Sequence, residues 1–391
     1  MMDSITIAIS RFVLYSDEFF TKAQYQELKG QFGVFGRHVS RYTDYPQKCK
    51  AEGRYFPQVH IVEKARRRKG GMVPVGRKLL VQVSVPKLLF GASIFDTDER
   101  LLPLVAQKLA ETLKEIRVGV DHDEVLSAVV HRIDYAKMLQ ISPSYGSTAS
   151  MLRELAAHDM KQSSDFNRRD YHDGKDGFYL KFWNSSQGFV IYDKFDEILV
   201  NGKTKLEQEI AEQYRAGKWK KGAMRIEVSL QKKQTVEGEL RKHYPSKSKD
   251  FTFREAAKAD IAKACVLRIF DNVYLKGFNR LVRLSGLKNA ELLRFVEENA
   301  DGFKERAALF YLAHRVKSVG LGKAVGELER DTSPATTRRY KRMVEAVLEK
   351  AGAKKDVVNV VSYLRRKLEK FQPVLPKSLA AILGGAGETE E

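Results

Sequence analysis

The chain has 391 residues, of which 43% are hydrophobic and 30% are charged, and its formal net charge is +19. This length supports about two or three domains with a real core, and the charge favours a polyanionic partner, with nucleic acid ahead of a membrane surface. The only two cysteines, Cys49 and Cys265, exclude a disulfide framework and a cysteine metal knuckle. No apolar run approaches the ~18 residues of a spanning helix, so we expect no membrane partner.

The first third of the chain predicts strands with one covering helix. Ile5, Ile7 and Ile9 alternate, which indicates a strand and not a signal peptide, so a reducing cytoplasm is the expected compartment. Leu79, Val81, Val83 and Val85 also alternate, and Pro86 ends that strand. The predicted elements are a strand at 4–14, a helix or loop at 17–32, strands at 55–64 and 78–86, and an amphipathic helix at 97–117.

A basic segment, Lys64 to Gly71, separates two of these strands and predicts the tip of a hairpin. It contains Arg66, Arg67 and Arg68. Such a tip is either a solvated loop or a phosphate contact, and we expect the contact because so cationic a loop is steered towards DNA by its field.

The middle of the chain predicts further strands and helices. Residues 178–184 and 188–194 form a hairpin, because the turn residues Asn184 to Gly188 lie between two apolar runs. The other predicted elements are a strand within 124–139, helices at 148–160 and 204–215, and a strand at 222–232.

From about residue 250 the pattern becomes helical. Residues 252–275 predict one long helix, and residues 304–317, 322–330 and 334–350 predict three helices that could form a helix-turn-helix. The third of these helices starts with Ser333 as cap and Pro334 in its first turn. Its first half carries Arg338, Arg339 and Arg342, which either contact DNA or lie on a solvated helix face.

Three short motifs indicate the chemistry of the first domain. They are Arg132-Ile133-Asp134, Tyr192 with Lys194, and Arg225-Ile226-Glu227. Alternate residues of a strand share a face, so one sheet could gather two acids, a tyrosine and several cations, including Lys181, on one surface. Each pattern alone also fits cross-strand ion pairs and a packing tyrosine.

Together these residues suit a metal-assisted attack of a tyrosine on a phosphodiester. The two acids, Asp134 and Glu227, are the expected ligands of Mg²⁺ or Mn²⁺, which prefer oxygen donors. The four cations Arg132, Arg225, Lys181 and Lys194 would neutralise phosphate oxygens. Tyr192 would attack and keep one DNA end as a phosphotyrosine ester.

At these residues the chain resembles the replication initiators of filamentous bacteriophages. The resemblance rests on Val85-Pro86-Lys87-Leu88-Leu89-Phe90-Gly91, followed in order by the three motifs. The last three elements are also similar to the more distant plasmid initiators of the Rep_trans type. The resemblance covers residues 1–245 well and the helical remainder more weakly.

The resemblance implies a rolling-circle replication initiator, a site-specific single-strand endonuclease and strand transferase. It places Tyr192 at the position of the nucleophile and Asp134 and Glu227 at the acidic positions. The third ligand stays open among Asp193, Glu197 and His131. Strand parity places His131 on the face opposite to Asp134. A second tyrosine, Tyr179 or Tyr135, could take part in strand transfer.

The expected partner is origin DNA, single-stranded or supercoiled, in the cytoplasm of a bacterial host. Host helicase and polymerase, and a second copy of the chain in a homodimer, are compatible partners. Two other functions stay open, a non-catalytic DNA-binding regulator or single-strand binder, and a mobilisation relaxase. Gly202-Lys203-Thr204 lacks the earlier glycine of a phosphate loop, so we expect no nucleotide cofactor.

The predicted fold class is α+β. A curved antiparallel sheet with covering helices forms a nicking domain over residues 1–245. An all-helical accessory domain follows at 250–375, and a flexible acidic tail at 376–391 ends the chain.

Overall fold

The protein forms two compact units. One comprises residues 1–145, 168–266 and 371–391, and the other comprises 146–167 and 267–370. The predicted division into 1–245, 250–375 and 376–391 is a different partition, and the roles assigned to its parts stay predictions. The computed structural model describes residues 2–21, 24–29, 35–68, 71–143, 147–157, 166, 168–174, 177–274, 293–294, 296–298, 300–319, 321–352 and 360–376.

A large sheet of ten strands dominates the first unit, and every neighbouring pair is antiparallel. Its order is β3-β4-β5-β6-β1-β8-β12-β11-β10-β9, and β2 and β7 form a separate pair. The strands are β1 (Met2–Ile9), β2 (Val13–Leu14), β3 (Gln24–Lys29), β4 (Phe35–Tyr42), β5 (Gln58–Arg68), β6 (Gly71–Ser84), β7 (Val118–Gly119), β8 (Val129–Ile141), β9 (Arg168–Gly174), β10 (Gly177–Trp183), β11 (Gln187–Asp193) and β12 (Gly222–Leu230).

Helices follow many of the strands and make up most of the second unit. They are α1 (Tyr45–Ala51), α2 (Val85–Phe90), α3 (Leu102–Lys114), α4 (His122–Ser127), α5 (Thr148–Ala157), α6 (Lys194–Asn201), α7 (Lys205–Arg215), α8 (Lys233–Leu240), α9 (Phe253–Ala256), α10 (Ala259–Tyr274), α11 (Phe303–Val319), α12 (Leu321–Asp331), α13 (Pro334–Gly352) and α14 (Val360–Lys370). The predicted α+β class is confirmed. Among the described residues no helix is long and apolar enough to cross a membrane.

One face of the sheet forms the core of the first unit. Ile5, Ile7 and Ile9 of β1 and Ile226 and Val228 of β12 are at most 1% exposed. Burying each such side chain stabilises the fold by about 1.5–3 kcal/mol, which fixes the strand register because a slip by one residue would expose the whole set. The other face therefore carries the alternate residues, and these include the predicted site.

Three predictions for the first unit need correction. The segment 17–32, predicted as a helix or loop, contains edge strand β3, which pairs with β4. Because an edge strand has a partner on one side only, its sequence can be polar and lack a clear alternation. The predicted hairpin is present, but its strands are longer than the predicted 55–64 and 78–86: β5 ends at Arg68 and β6 begins at Gly71, so Arg66, Arg67 and Arg68 lie in a strand at the tip. Their side chains lie outside the described residues.

The third correction concerns residues 252–275, which form two helices, α9 and α10, and not one. Helix α9 begins at a capping box formed by Thr252 and Glu255, and it ends after a single turn. The periodic apolar residues continued through this break, so the pattern alone did not show it.

The second unit confirms the three predicted helices after residue 300, which are α11, α12 and α13. They enclose a small core that includes Leu309, Leu312, Val325 and Val344. Ser333 caps α13, since its Oγ accepts a hydrogen bond from the Thr336 amide at 3.3 Å. The predicted tail lies outside the described residues apart from Pro376.

Candidate active site on the polar face of the sheet

The three motif strands are neighbours in the order β8-β12-β11. Arg225 lies opposite Tyr192, and Ser229 lies opposite Asp134. Because residues directly opposite each other share a face, Tyr192, Arg225, Glu227 and Asp134 all point to one side of the sheet. The strand parity predicted from the sequence therefore gathers the tyrosine and both acids.

Tyr192 and Glu227 contact each other directly. The half-buried Tyr192 donates a hydrogen bond from Oη to Glu227 Oε2 at 3.3 Å. Burial raises the pKa of the Tyr192 phenol well above its usual value, and the negative charge of Glu227 raises it further, whereas Arg225 opposes the shift. The phenol is therefore protonated at neutral pH, and its attack requires an acceptor for the proton.

The two acids are held in an environment that disfavours their charge. Burial raises the pKa of Glu227 to about 8, with further contributions from Asp3 and Asp134. Asp134 is 3% exposed, and burial raises its pKa although Arg132 lies 3.1 Å away and Ser4 donates a hydrogen bond to it. Carboxylates that repel one another in a desolvated site attract a cation, which would relieve the repulsion.

Asp3 on β1 is a member of this cluster that the sequence motifs did not reveal. It accepts a hydrogen bond from Arg225, and its charge raises the pKa of both Glu227 and Asp134. Asp3 lies just before the strand predicted at 4–14, and nothing in the sequence showed that β1 would include it and pair with β8.

Arg225 is 1% exposed and joins several parts of the site. It donates to the carbonyl oxygen of Ser93 at 2.6 Å and to Asp3, and its Nε lies 3.9 Å from Glu227 Oε2. This burial favours a role in orienting Asp3 and Glu227. The predicted contact of Arg225 with a phosphate stays a prediction.

Lys194 is the one motif residue whose local structure was wrongly predicted. It does not continue strand β11 but begins α6, because Asp193 caps that helix by accepting from the amides of Phe195 and Asp196 at 2.9 and 3.2 Å. Its Nζ nevertheless lies 5.6 Å from the centre of the Tyr192 ring and 2.7 Å from Glu197 Oε2. Burial lowers the pKa of Lys194.

The candidates for a third ligand are placed differently. Asp193 is used as a helix cap, and Glu197 binds Lys194. His131 lies at a bulge, where the pairing of β8 with β1 shifts register between Val130 and Arg132, and burial lowers its pKa to about 4. No group of three or more His, Cys, Asp or Glu side chains in the described part of the chain is arranged to hold a metal. Asp134 and Glu227 as ligands of a cation therefore stay a prediction, and the charge of Asp3 acts on both of them.

The neighbouring strand β10 extends the polar face. Tyr179 lies directly opposite Tyr192, and Lys181 lies opposite Val190, whose other neighbour is Glu227. Tyr179 donates a hydrogen bond to Asp170 at 2.8 Å, and Lys181 is exposed. Tyr135 instead lies on the core face, where its Oη donates to the carbonyl of Ala256 at 2.8 Å. Of the two proposed second tyrosines, only Tyr179 is beside Tyr192.

The remaining predicted DNA contacts belong to the second unit. Arg338, Arg339 and Arg342 are all exposed on α13. Arg339 pairs with Glu305 of α11, and Arg338 donates to the carbonyl of Pro334 at 3.1 Å. Their exposure is compatible with both the DNA contact and the solvated helix face.

Comparison with known proteins agrees with the motifs. No curated protein and no solved structure matches the chain significantly. Residues 69–248 match a family described as the N-terminal region of a phage replication-associated protein. The matched segment contains Tyr192, Asp134 and Glu227 but not Asp3. The family supports a role in starting replication and implies DNA binding. This similarity of residues 69–248 supports a phage replication initiator.

Proposed function

We propose that the protein starts rolling-circle DNA replication by nicking one strand at an origin and later rejoining it. The single observation that carries this proposal is the contact between Tyr192 and Glu227 on a sheet face that also holds Asp134. A packing tyrosine would not require a cluster of carboxylates with raised pKa values around it.

The acids fit a divalent cation. Burial, Asp3 and Asp134 raise the pKa of Glu227 to about 8, so additional positive charge near these oxygens would be favourable. Mg²⁺ is commonly held by one or two carboxylates together with substrate phosphates, so Asp134 and Glu227 would suffice as protein ligands. When bound, Mg²⁺ or Mn²⁺ supplies polarisation of a phosphate oxygen.

The residues of the chain would perform the transfer as follows. Tyr192 Oη, oriented by its hydrogen bond to Glu227, forms a bond to the scissile phosphorus and loses its proton to solvent, since Glu227 is needed as a carboxylate to hold the cation. The bond from phosphorus to the 3′ oxygen breaks, and that oxygen leaves with the electron pair and takes a proton from solvent. One DNA end is then a 5′-phosphotyrosine, and the other is a 3′ hydroxyl that a polymerase can extend.

The cations have separate tasks in this proposal. Lys194 lies beside the Tyr192 ring and, although burial lowers its pKa, its pairing with Glu197 favours the charged form next to the developing phenolate. Arg132 holds Asp134, and Arg225 orients Asp3 and Glu227 as a positioning residue. Lys181 is exposed on the adjacent strand and can reach a neighbouring phosphate.

The proposal is tested on a supercoiled plasmid that carries the origin of the protein's own replicon. We expect conversion to open circles with Mg²⁺ or Mn²⁺, and a nick whose 3′ end a polymerase extends while its 5′ end resists a 5′ exonuclease. Tight binding without any nick on the origin plasmid would reject the enzyme in favour of a DNA-binding regulator. A nick with a free 5′ phosphate would reject the tyrosine as nucleophile.

A further inference from the structure

A groove on the polar face adjoins the tyrosine site within the first unit. It has a volume of about 510 Å³, and residues of α1, β5, β6 and the turn between α6 and α7 line it. We call it the glutamine groove, after Gln58 of β5 and Gln82 of β6 in its lining. Ser4 and Glu197 also line it.

The glutamine groove opens from the tyrosine site. Ser4 donates a hydrogen bond to Asp134, and Glu197 accepts one from Lys194. Two residues of the groove wall therefore also contact two members of the site.

The charge of the groove suits a phosphate backbone. Its lining includes Lys50, Arg54, Lys87 and Lys203, against Glu197 as the acid. Arg54 and Lys87 are held by Glu115 and Glu207 respectively, at 3.3 and 3.0 Å. Lys50 and Lys203 are exposed, and none of the ion pairs found among the described residues uses them. These two ammonium groups are available for an anion from outside.

Polar but uncharged side chains also line the groove. Gln58 and Gln82 lie directly opposite each other on β5 and β6, and Ser84 lies opposite Ser4 on β6 and β1. Gln58 is exposed and Gln82 is half-buried. Glutamine offers a donor and an acceptor together, which is the pattern that pairs with the edge of adenine and other bases.

A second cavity lies beside the glutamine groove. It has a volume of about 590 Å³, shares Arg54 and Lys87 with the glutamine groove, and adds Lys108 and Lys205. The linings of the two cavities together contain six cations, against the three acids Glu111, Glu115 and Glu197. Basic grooves of this kind are typical of sites for single strands.

We propose that the glutamine groove binds the single DNA strand that flanks the scissile phosphate. Lys50 and Lys203 contact phosphates, and Gln58 and Gln82 contact base edges and thereby contribute to the choice of origin sequence. We infer single-stranded DNA because side chains on the floor of a concave groove can reach base edges only when the bases are unpaired. A duplex is instead read by elements that protrude into its own grooves. This inference deepens the proposed function and rests on it.

The phosphate contacts are tested by fluorescence anisotropy in EDTA, so that binding is measured without cleavage. The probe is a labelled single-stranded oligonucleotide of about 12 nucleotides from the origin. The double variant Lys50→Ala/Lys203→Ala should bind about tenfold more weakly at low salt. The slope of log K against log salt should fall by about 1.4, since each contact with a single strand contributes about 0.7. The exposed Lys249→Ala is the matched control and should bind like wild type.

The base contacts are tested with Gln58→Ala/Gln82→Ala and a set of oligonucleotides that differ at one position each. We expect about a tenfold loss of discrimination at one or two positions, with an unchanged salt slope. Equal discrimination by this variant and wild type would overturn the assigned role of the glutamines.

The outcomes distinguish the role of the groove from the proposed function. Wild-type affinity and salt slope in Lys50→Ala/Lys203→Ala would overturn the groove even if the protein nicks its origin. Stronger binding of duplex than of single strand, weakened by the same variant, would assign the groove to a duplex instead. Because these measurements need no cleavage, a failure of the nicking assay with wild-type protein would count against the proposed function alone.

Discussion

The site on the sheet and helix α13 both carry arginines that the sequence predicted to contact DNA, but the two regions treat their charges differently. On the sheet, Arg225 is 1% exposed and Asp134 is 3% exposed, and both have several polar contacts. On α13, Arg338, Arg339 and Arg342 are exposed. A buried charge is costly to maintain, so its presence is a stronger sign of function than an exposed one.

This contrast predicts that conservative changes on the sheet have large effects and that changes on α13 have small, salt-dependent effects. The following experiments test this difference between the sheet and α13, starting with the largest expected effect.

The largest effect is expected from the acids. Asp134→Asn and Glu227→Gln keep the shape of the side chains but remove a ligand charge, so the rate of origin nicking should fall by about 10²–10³-fold. The measurement is the initial rate of plasmid nicking over a series of Mn²⁺ concentrations, and we expect the variants to need more Mn²⁺ than wild type. The exposed Glu209→Gln is the matched control. Rates within about twofold of wild type for both variants would refute the ligand assignment.

The next effect concerns stability. Arg225→Met removes the partner of Asp3 and leaves the Ser93 carbonyl without its donor, so the free energy of unfolding should fall by about 3 kcal/mol. Arg339→Met breaks an ion pair whose arginine is 69% exposed and should change it by less than about 0.5 kcal/mol. Urea unfolding measures both. Equal losses in the two variants would remove the contrast between the regions.

A smaller effect is expected from His131 of β8. Burial lowers the pKa of His131 to about 4 from an ordinary value of 6.5, so the unfolded chain takes up the proton first. The stability that neutral His131 contributes to the folded state is present above pH 6.5 and is lost as the pH falls towards 4. When the pH is lowered from about 7 to about 5, the free energy of unfolding of His131→Leu should therefore fall by about 1–2 kcal/mol less than that of wild type. The exposed His122→Leu should follow the wild-type profile, and an identical profile for His131→Leu would contradict the shift.

The smallest effect is expected on α13. Arg338→Ala/Arg342→Ala should weaken binding of origin duplex by about tenfold or less and lower the salt slope, because each lost phosphate contact contributes about 0.9 to it. Filter binding at several salt concentrations measures both quantities. Unchanged binding and slope would assign α13 to a solvated helix face and not to DNA.

The sequence predicted the site through the parity of strands. Within one strand, Arg132 and Asp134 must share a face, as must Arg225 and Glu227, and the structure confirms that these faces coincide. The pattern could not predict which strands are neighbours, because pairing depends on contacts between distant segments. Asp3 was missed for that reason, since β1 brings it to β8 without any motif.

Other errors have local physical causes. In the sequence Lys194 follows the alternation of β11, but the side chain of Asp193 caps a helix at that point and turns the chain. Strand β3 lies at the sheet edge, where its polar sequence does not alternate clearly. The core strands and the amphipathic helices were predicted well, because burial of one face imposes a period on the sequence.

The attack of Tyr192 on DNA underlies the whole proposal, and detection of a covalent adduct is its direct test. Wild type, Tyr192→Phe and the neighbouring Tyr179→Phe are incubated with labelled single-stranded origin DNA and either Mn²⁺ or EDTA, then separated under denaturing conditions. We expect a Mn²⁺-dependent protein–DNA band for wild type and Tyr179→Phe, and none for Tyr192→Phe, although its DNA affinity stays within about twofold of wild type. A band of wild-type strength from Tyr192→Phe would contradict the assignment of Tyr192 as the nucleophile.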